Sequence, residues 1–121
     1  MWGTGTPRRE FLYVDDMADA CVHLMKTYSS AELVNIGTGE DISIAEFARV
    51  VAAIVGYGGE IGFDTSRPDG TPRKLLDVSR LAKLGWRATT SLEDGIRRAH
   101  EAYLSVAEKR QTSRIDRSPP V

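Results

Sequence analysis

The sequence predicts a mixed α/β domain, and three observations carry that expectation. Apolar residues recur at helical spacing in three separate stretches. Short runs between them have strand character, and Gly, Pro and Ser/Thr clusters punctuate the whole. The expected order is helix, strand, helix, strand, helix, helix, with only two or three short strands. A self-sufficient sheet usually has more.

Residues 1–10, rich in Gly, Thr and Arg around Pro7, predict an exposed loop, and 11–14 a short extended run. Asp15 or Asp16 is expected to cap the first helix. Met17, Ala20, Cys21, Leu24 and Met25 then fall on one helix face, with Asp19, His23 and Lys26 on or near the other. Residues 33–36 predict a short strand ended by Gly37-Thr38-Gly39. Ser43 and Glu46 match a capping box, in which each side chain accepts a hydrogen bond from the other residue's free amide, so a helix should open there. Its apolar stripe is Phe47, Val50, Val51, Ile54 and Val55. After a turn at 57–59, residues 60–64 alternate as a strand does, and 65–72 form a polar loop built on Pro68, Gly70 and Pro72. Residues 74–77 are expected to be extended again. Ser79 should cap a short helix stopping at Gly85, and Ser91 with Asp94 should open a long one carrying Leu92, Ile96, Ala99, Tyr103 and Val106. The body is expected to span 1–109. The segment 110–121 has too little apolar surface to offset the cost of ordering it and predicts a disordered tail.

The chain has 121 residues, 41% hydrophobic and 27% charged, with a formal net charge of -1. That balance gives no reason to expect nucleic-acid or membrane binding, both of which call for a strong basic excess. The lone Cys21 rules out an intramolecular disulfide and is expected to be a buried packing thiol, and no Cys/His cluster predicts a metal. Without a leader or a long apolar stretch, the expected location is cytoplasmic.

No catalytic constellation is legible. His23 and His100 stand on helices without a nucleophile motif and predict surface or boundary positions, and the pairs Asp15-Asp16 and Glu93-Asp94 begin helices, where capping and the helix dipole favour negative charge. A dinucleotide-binding turn would be Gly-rich and would join a strand directly to a helix. The two GTG triplets, at 3–5 and 37–39, lack that setting.

Three blocks carry a specific likeness: WGTGTPRREFLYVDDMADA at 2–20, VNIGTGEDISIAEFA at 34–48, and FDTSRPDGTPRKLLDVSRLAKLGW at 63–86. Together they resemble the GDP-L-fucose synthase family of the extended short-chain dehydrogenase/reductases, from Trp2 to about Tyr103. The REF and NIG-x-G pieces are shared across nucleotide-sugar epimerases and dehydratases; PDGTPRKLLD and WG-x-GTP-x-RE are more selective. The resemblance implies the carboxy-terminal part of that fold: the last helix and strand of a Rossmann-type sheet plus the small substrate domain. It also implies that the Gly-rich NADP turn and the Ser and Tyr-xxx-Lys catalytic set belong to an amino-terminal region absent here. NADP is expected in the intact family enzyme and not on this chain alone. Met1 stands where the family usually has Val, which predicts an internal start or a truncated gene.

The same resemblance places Trp2, Arg9 and Asp69 at positions that contact a GDP-sugar, with Lys74 beside them as a supporting charge. Arginine suits a diphosphate because its planar fork donates two parallel hydrogen bonds, and Pro68, Gly70 and Pro72 limit the entropy their loop would lose on binding. The plainer reading of Arg8, Arg9, Arg67, Arg73 and Lys74 is a solvated surface. Trp86 is expected to pack between the last two helices rather than join the site. The expected function is therefore nucleotide-sugar binding, with an amino-terminal half or a homodimer partner to complete it. The rivals are a fragment of another nucleotide-sugar epimerase or dehydratase, a pseudogene product with no stable fold, and a non-catalytic docking module.

Overall fold

The computed structural model describes residues 1–115, and the side-chain surroundings of 1–107. In chain order the elements are β1 (Arg8–Arg9), α1 (Val14–Thr27), β2 (Ile42–Ser43), α2 (Ile44–Val55), β3 (Arg73–Lys74), α3 (Ser79–Lys83) and α4 (Leu92–Ile115). The strands form one sheet in the order β2-β1-β3, with β1 antiparallel to β2 and parallel to β3.

The strongest local signals are met. Ser43 and Glu46 form the expected capping box at the start of α2, which ends on Gly56 in the left-handed conformation. Ser91 Oγ accepts from the amide of Asp94 at 3.1 Å as α4 begins. Gly85, with φ of 87°, follows α3 as its stop.

Several expectations are corrected. The segment 1–10 is not an exposed loop, because Arg8–Arg9 is the central strand of the sheet. Its partners lie far along the chain, so no hairpin pattern marks it. Residues 60–64 contribute only the isolated parallel bridge between Trp2 and Asp64. Residues 33–36 form no ladder among the described residues. Val34 and Ile36 pack on the core instead, the Leu33 carbonyl accepts from Arg80 at 2.7 Å, and Asn35 donates to the Asp77 carbonyl at 3.2 Å. Ser79 is the first residue of α3 rather than its cap, and its amide donates to Asp77 Oδ1 at 2.9 Å. Helix α4 continues to Ile115, past Lys109. The rest of the expected tail, 116–121, lies outside the described residues.

Helix α1 is turned relative to its apolar stripe. Ala20, fully buried, forms the core with Leu81 and Trp86, and Leu24 packs against them. Its other inward contacts are polar: Asp19 Oδ2 accepts from Trp86 Nε1 at 2.8 Å, and His23 Nε2 lies 2.8 Å from the Leu84 carbonyl. Met17, Cys21 and Met25 face away, so Cys21 is exposed rather than a buried packing thiol. Neither Asp15 nor Asp16 caps the helix; the cap residue is Tyr13, without a side-chain bond. Asp16 is buried and accepts from the amides of Thr89 and Thr90 at 3.0 and 2.8 Å. The neighbours the described chain offers α1 lie on its Asp16, Asp19, Ala20 and His23 side, and hydrogen bonds there set its rotation.

Candidate functional site

The three sequence blocks meet at the sheet, each supplying one strand. Register places Arg8 beside Arg73 and Arg9 beside Lys74. Partners in register share a face and successive residues alternate faces, so Arg8 and Arg73 lie on one side of the pair, and Arg9 and Lys74 on the other. Arg9 Nη1 donates to the carbonyls of Arg8 and Thr71, both at 2.7 Å, which holds the guanidinium along the loop before β3.

The loop 64–72 closes over the start of the chain. Asp69 accepts from the Thr4 amide at 2.8 Å through Oδ1 and from the Thr4 hydroxyl at 2.7 Å through Oδ2. Trp2 is 75% exposed, and Arg67 Cζ lies 5.3 Å from its ring centroid, a cation over an aromatic face. Lys74 is thus the register partner of Arg9, Asp69 lies in the loop that leads into β3, and Trp2 bridges Asp64 where residues 1–3 meet 62–64. Sequence reasoning did not mark Thr4 or Asp41, and it counted Arg67 only among solvated surface cations. The PDGTPRK run contained the signal for the loop, but which groups its carboxylate would meet depends on contacts across 65 residues.

Asp41 is the counter-charge on the opposite face. Its side chain is 4% exposed, Arg8 Nε donates to its Oδ1 at 2.8 Å, and Arg73 Nε donates to its Oδ2. The bonds from Arg73 and Arg8 hold this carboxyl below its ordinary value. A cleft of about 720 Å³ runs past this carboxylate at the edge of the sheet, where residues of both faces line it: Arg8, Asp41 and Glu46 from one, Arg9 and Ile42 from the other, with Thr90 and Glu93 at the start of α4. It includes neither Trp2, Asp69 nor Lys74, and its carboxylates disfavour a diphosphate by like charge.

Residues 1–37 match the NAD dependent epimerase/dehydratase family. GDP-L-fucose synthase 1 of Arabidopsis thaliana is 54% identical over 104 residues, 86% of this chain and 32% of that protein. The GDP-L-fucose synthase of Escherichia coli K12 is 49% identical over 113 residues, 86% of this chain and 35% of that protein. Over most of its length the chain is thus similar to GDP-L-fucose synthases, and its first 37 residues match the NAD dependent epimerase/dehydratase family. It spans about a third of the length of the curated relatives it matches. A GDP-L-fucose synthetase from Naegleria fowleri, solved with NADP, superposes with a TM-score of 0.83 at 28% identity, over 89% of this chain and 35% of that one. A GDP-6-OMe-4-keto-L-xylo-heptose reductase from C. jejuni gives 0.81 at 42% identity, over 87% and 33%. The fold is that of the carboxy-terminal part of extended short-chain dehydrogenase/reductases.

Neither GTG turn has the form of a dinucleotide-binding turn. A dinucleotide site needs free backbone amides at a Gly-rich turn. In the first GTG triplet the Thr4 amide is bonded to Asp69. In the second, the Gly39 amide donates to Glu10 Oε1 at 2.6 Å, and a side chain at Gly37 would collide with the same carboxylate. Internal carboxylates occupy both turns. No helix among the described residues is long and apolar enough to cross a membrane.

Proposed function

We propose that this chain forms the nucleotide-sugar-binding part of a GDP-L-fucose synthase-type enzyme, which epimerises two carbons beside the ketone of a GDP-4-keto-6-deoxymannose and then reduces that ketone. The convergence of the three sequence blocks on one sheet supports the reading, because it sets Lys74 beside Arg9 and brings in Asp69 on the loop that leads into the same strand. Arg9 and Lys74 bind the diphosphate by charge and hydrogen bonding. Trp2 offers a ring face to the purine, and Asp69 holds the loop that frames the site. The NADP-binding and catalytic groups belong to an amino-terminal part, in the same or a partner chain, and the chain alone is inactive.

The test is an amide proton-nitrogen spectrum of the chain recorded with and without millimolar GDP. Dispersed peaks that shift at Arg9, Asp69 and Lys74 are expected. A dispersed spectrum indifferent to GDP overturns the reading. It would favour the second one, a protein-docking module, for which the exposed apolar residues Val14, Met17 and Met25 of α1 speak.

A further inference from the structure

The pairing of β1 with β3 sets like charges directly beside each other twice, Arg8 with Arg73 and Arg9 with Lys74. Like charges in register oppose strand pairing, and these strands have only two residues each. The two pairs are treated differently. Asp41 gives one carboxylate oxygen to Arg8 and the other to Arg73. No described carboxylate comes within 4.0 Å of Arg9 or Lys74 to form an ion pair.

Asp41 is also fixed independently of its side chain, since its own carbonyl accepts from Arg8 Nη2 at 2.8 Å. It immediately precedes β2, where Ile42 and Ser43 pair with Arg9 and Arg8. Its carboxylate therefore reaches across β1 to the third strand and joins the whole sheet through charge. Glu46, at 3.8 Å from Arg8 Nη1 and itself held by Ser43, adds a weaker contact on the same face.

We propose that Asp41 is a positioning residue for the nucleotide-sugar site: it neutralises Arg8 and Arg73 on one face of the β1–β3 pair, locks their register, and so presents Arg9 and Lys74 on the other face as an uncompensated cation pair that a diphosphate completes. The inference rests on the functional reading above and adds the residue that makes the cation pair stable without ligand. It predicts an effect opposite in sign to bulk electrostatics. Asp41→Asn adds one unit of positive charge, which by itself strengthens anion binding. If Asp41 positions the pair, the substitution instead lets Arg8 and Arg73 repel, shifts Lys74 away from Arg9, and weakens binding.

The experiment titrates the full chain with GDP, following amide shifts, for the wild type, Asp41→Asn and the double variant Asp41→Asn/Arg73→Gln. The expected result is about a tenfold weaker GDP affinity in the single variant and recovery to within roughly threefold in the double, as second-site coupling between contacting charges predicts. A ligand-free readout runs beside it. The Arg8 amide donates to the Pro72 carbonyl at 2.8 Å across the β1–β3 pair, so its hydrogen exchange should quicken in Asp41→Asn and slow again in the double variant. GDP affinity in Asp41→Asn equal to or tighter than wild type, with Arg8 exchange unchanged, overturns the proposal. If the single variant loses its dispersed spectrum, a dispersed double variant supports the charge account and a collapsed one overturns it. If wild type ignores GDP, the functional reading fails while Arg8 exchange still decides the role of Asp41.

Discussion

Asp16 of α1 accepts a hydrogen bond from the amide of Thr90 at 2.8 Å, across 74 residues of sequence. The same carboxylate accepts from the Thr89 amide at 3.0 Å and from the Thr90 hydroxyl at 2.9 Å. One buried side chain thereby fixes the turn that aims α4. An Asp chosen from sequence as a helix cap is a tertiary clamp instead.

Asp16→Asn replaces one acceptor oxygen with a carboxamide NH2, itself a donor, facing the donors of Thr89 and Thr90. The expected loss is about 1–3 kcal/mol, since buried donors are left without a partner. In a domain of this size that is a fall in melting temperature of roughly 5–15 °C, read by a thermal melt. The pH dependence has a definite sign. Burial pushes the Asp16 carboxyl up, the bonds from Thr90 and Thr89 pull it down further, and the net value lies below the ordinary one. Such a group stabilises the fold above its unfolded pKa of about 3.9, and that contribution is lost as pH falls through the lower folded value. Wild type should thus lose stability below about pH 4, and Asp16→Asn should lack that component.

Gly3 has φ of +76°, and a side chain there would collide with Asp69 Oδ1. Gly3→Ala should cost about 1–2 kcal/mol for the left-handed backbone. It should also displace Asp69 from Thr4, so GDP-induced shifts weaken more than the stability loss explains. Gly62→Ala is the control, with nothing within 4 Å of the added carbon. Its melting should match wild type within about 0.5 kcal/mol.

The two tryptophans report separately, because Trp2 is 75% exposed and Trp86 only 6%. In Trp2→Phe the remaining emission should be that of a buried indole, poorly quenched by acrylamide and indifferent to GDP. Arg67→Ala uncovers the Trp2 ring and should increase its quenching. A GDP response that survives Trp2→Phe would remove Trp2 from the site.

Met25 and Leu33 are 85% and 91% exposed. Replacing both by Lys should change stability by no more than about 0.5 kcal/mol and reduce concentration-dependent association, measured by light scattering. A large drop in melting temperature would mean that this face is packed in solution.

What was legible in the sequence was local. Ser43 and Glu46 lie one helical turn apart, so their reciprocal cap depends on nothing else, and Gly85 marks the end of α3 as a residue free to take the left-handed conformation. The likeness of the three blocks named the family and nominated Trp2, Arg9, Asp69 and Lys74. Strand pairing was not legible. A two-residue strand has no periodicity to detect, and the partners of Arg8 are Ser43 and Arg73.

The sequence by itself determined the four helices, the caps at Ser43 and Ser91 and the family likeness, because spacing at one helical turn and contiguous motifs act over a few residues. Only the tertiary structure decided that Arg9 lies beside Lys74, that Asp41 answers Arg8 and Arg73, that Asp69 closes on Thr4, and that α1 turns Cys21 outward. Each depends on groups brought together from distant parts of the chain, where hydrogen bonding and charge choose among partners that spacing leaves equivalent.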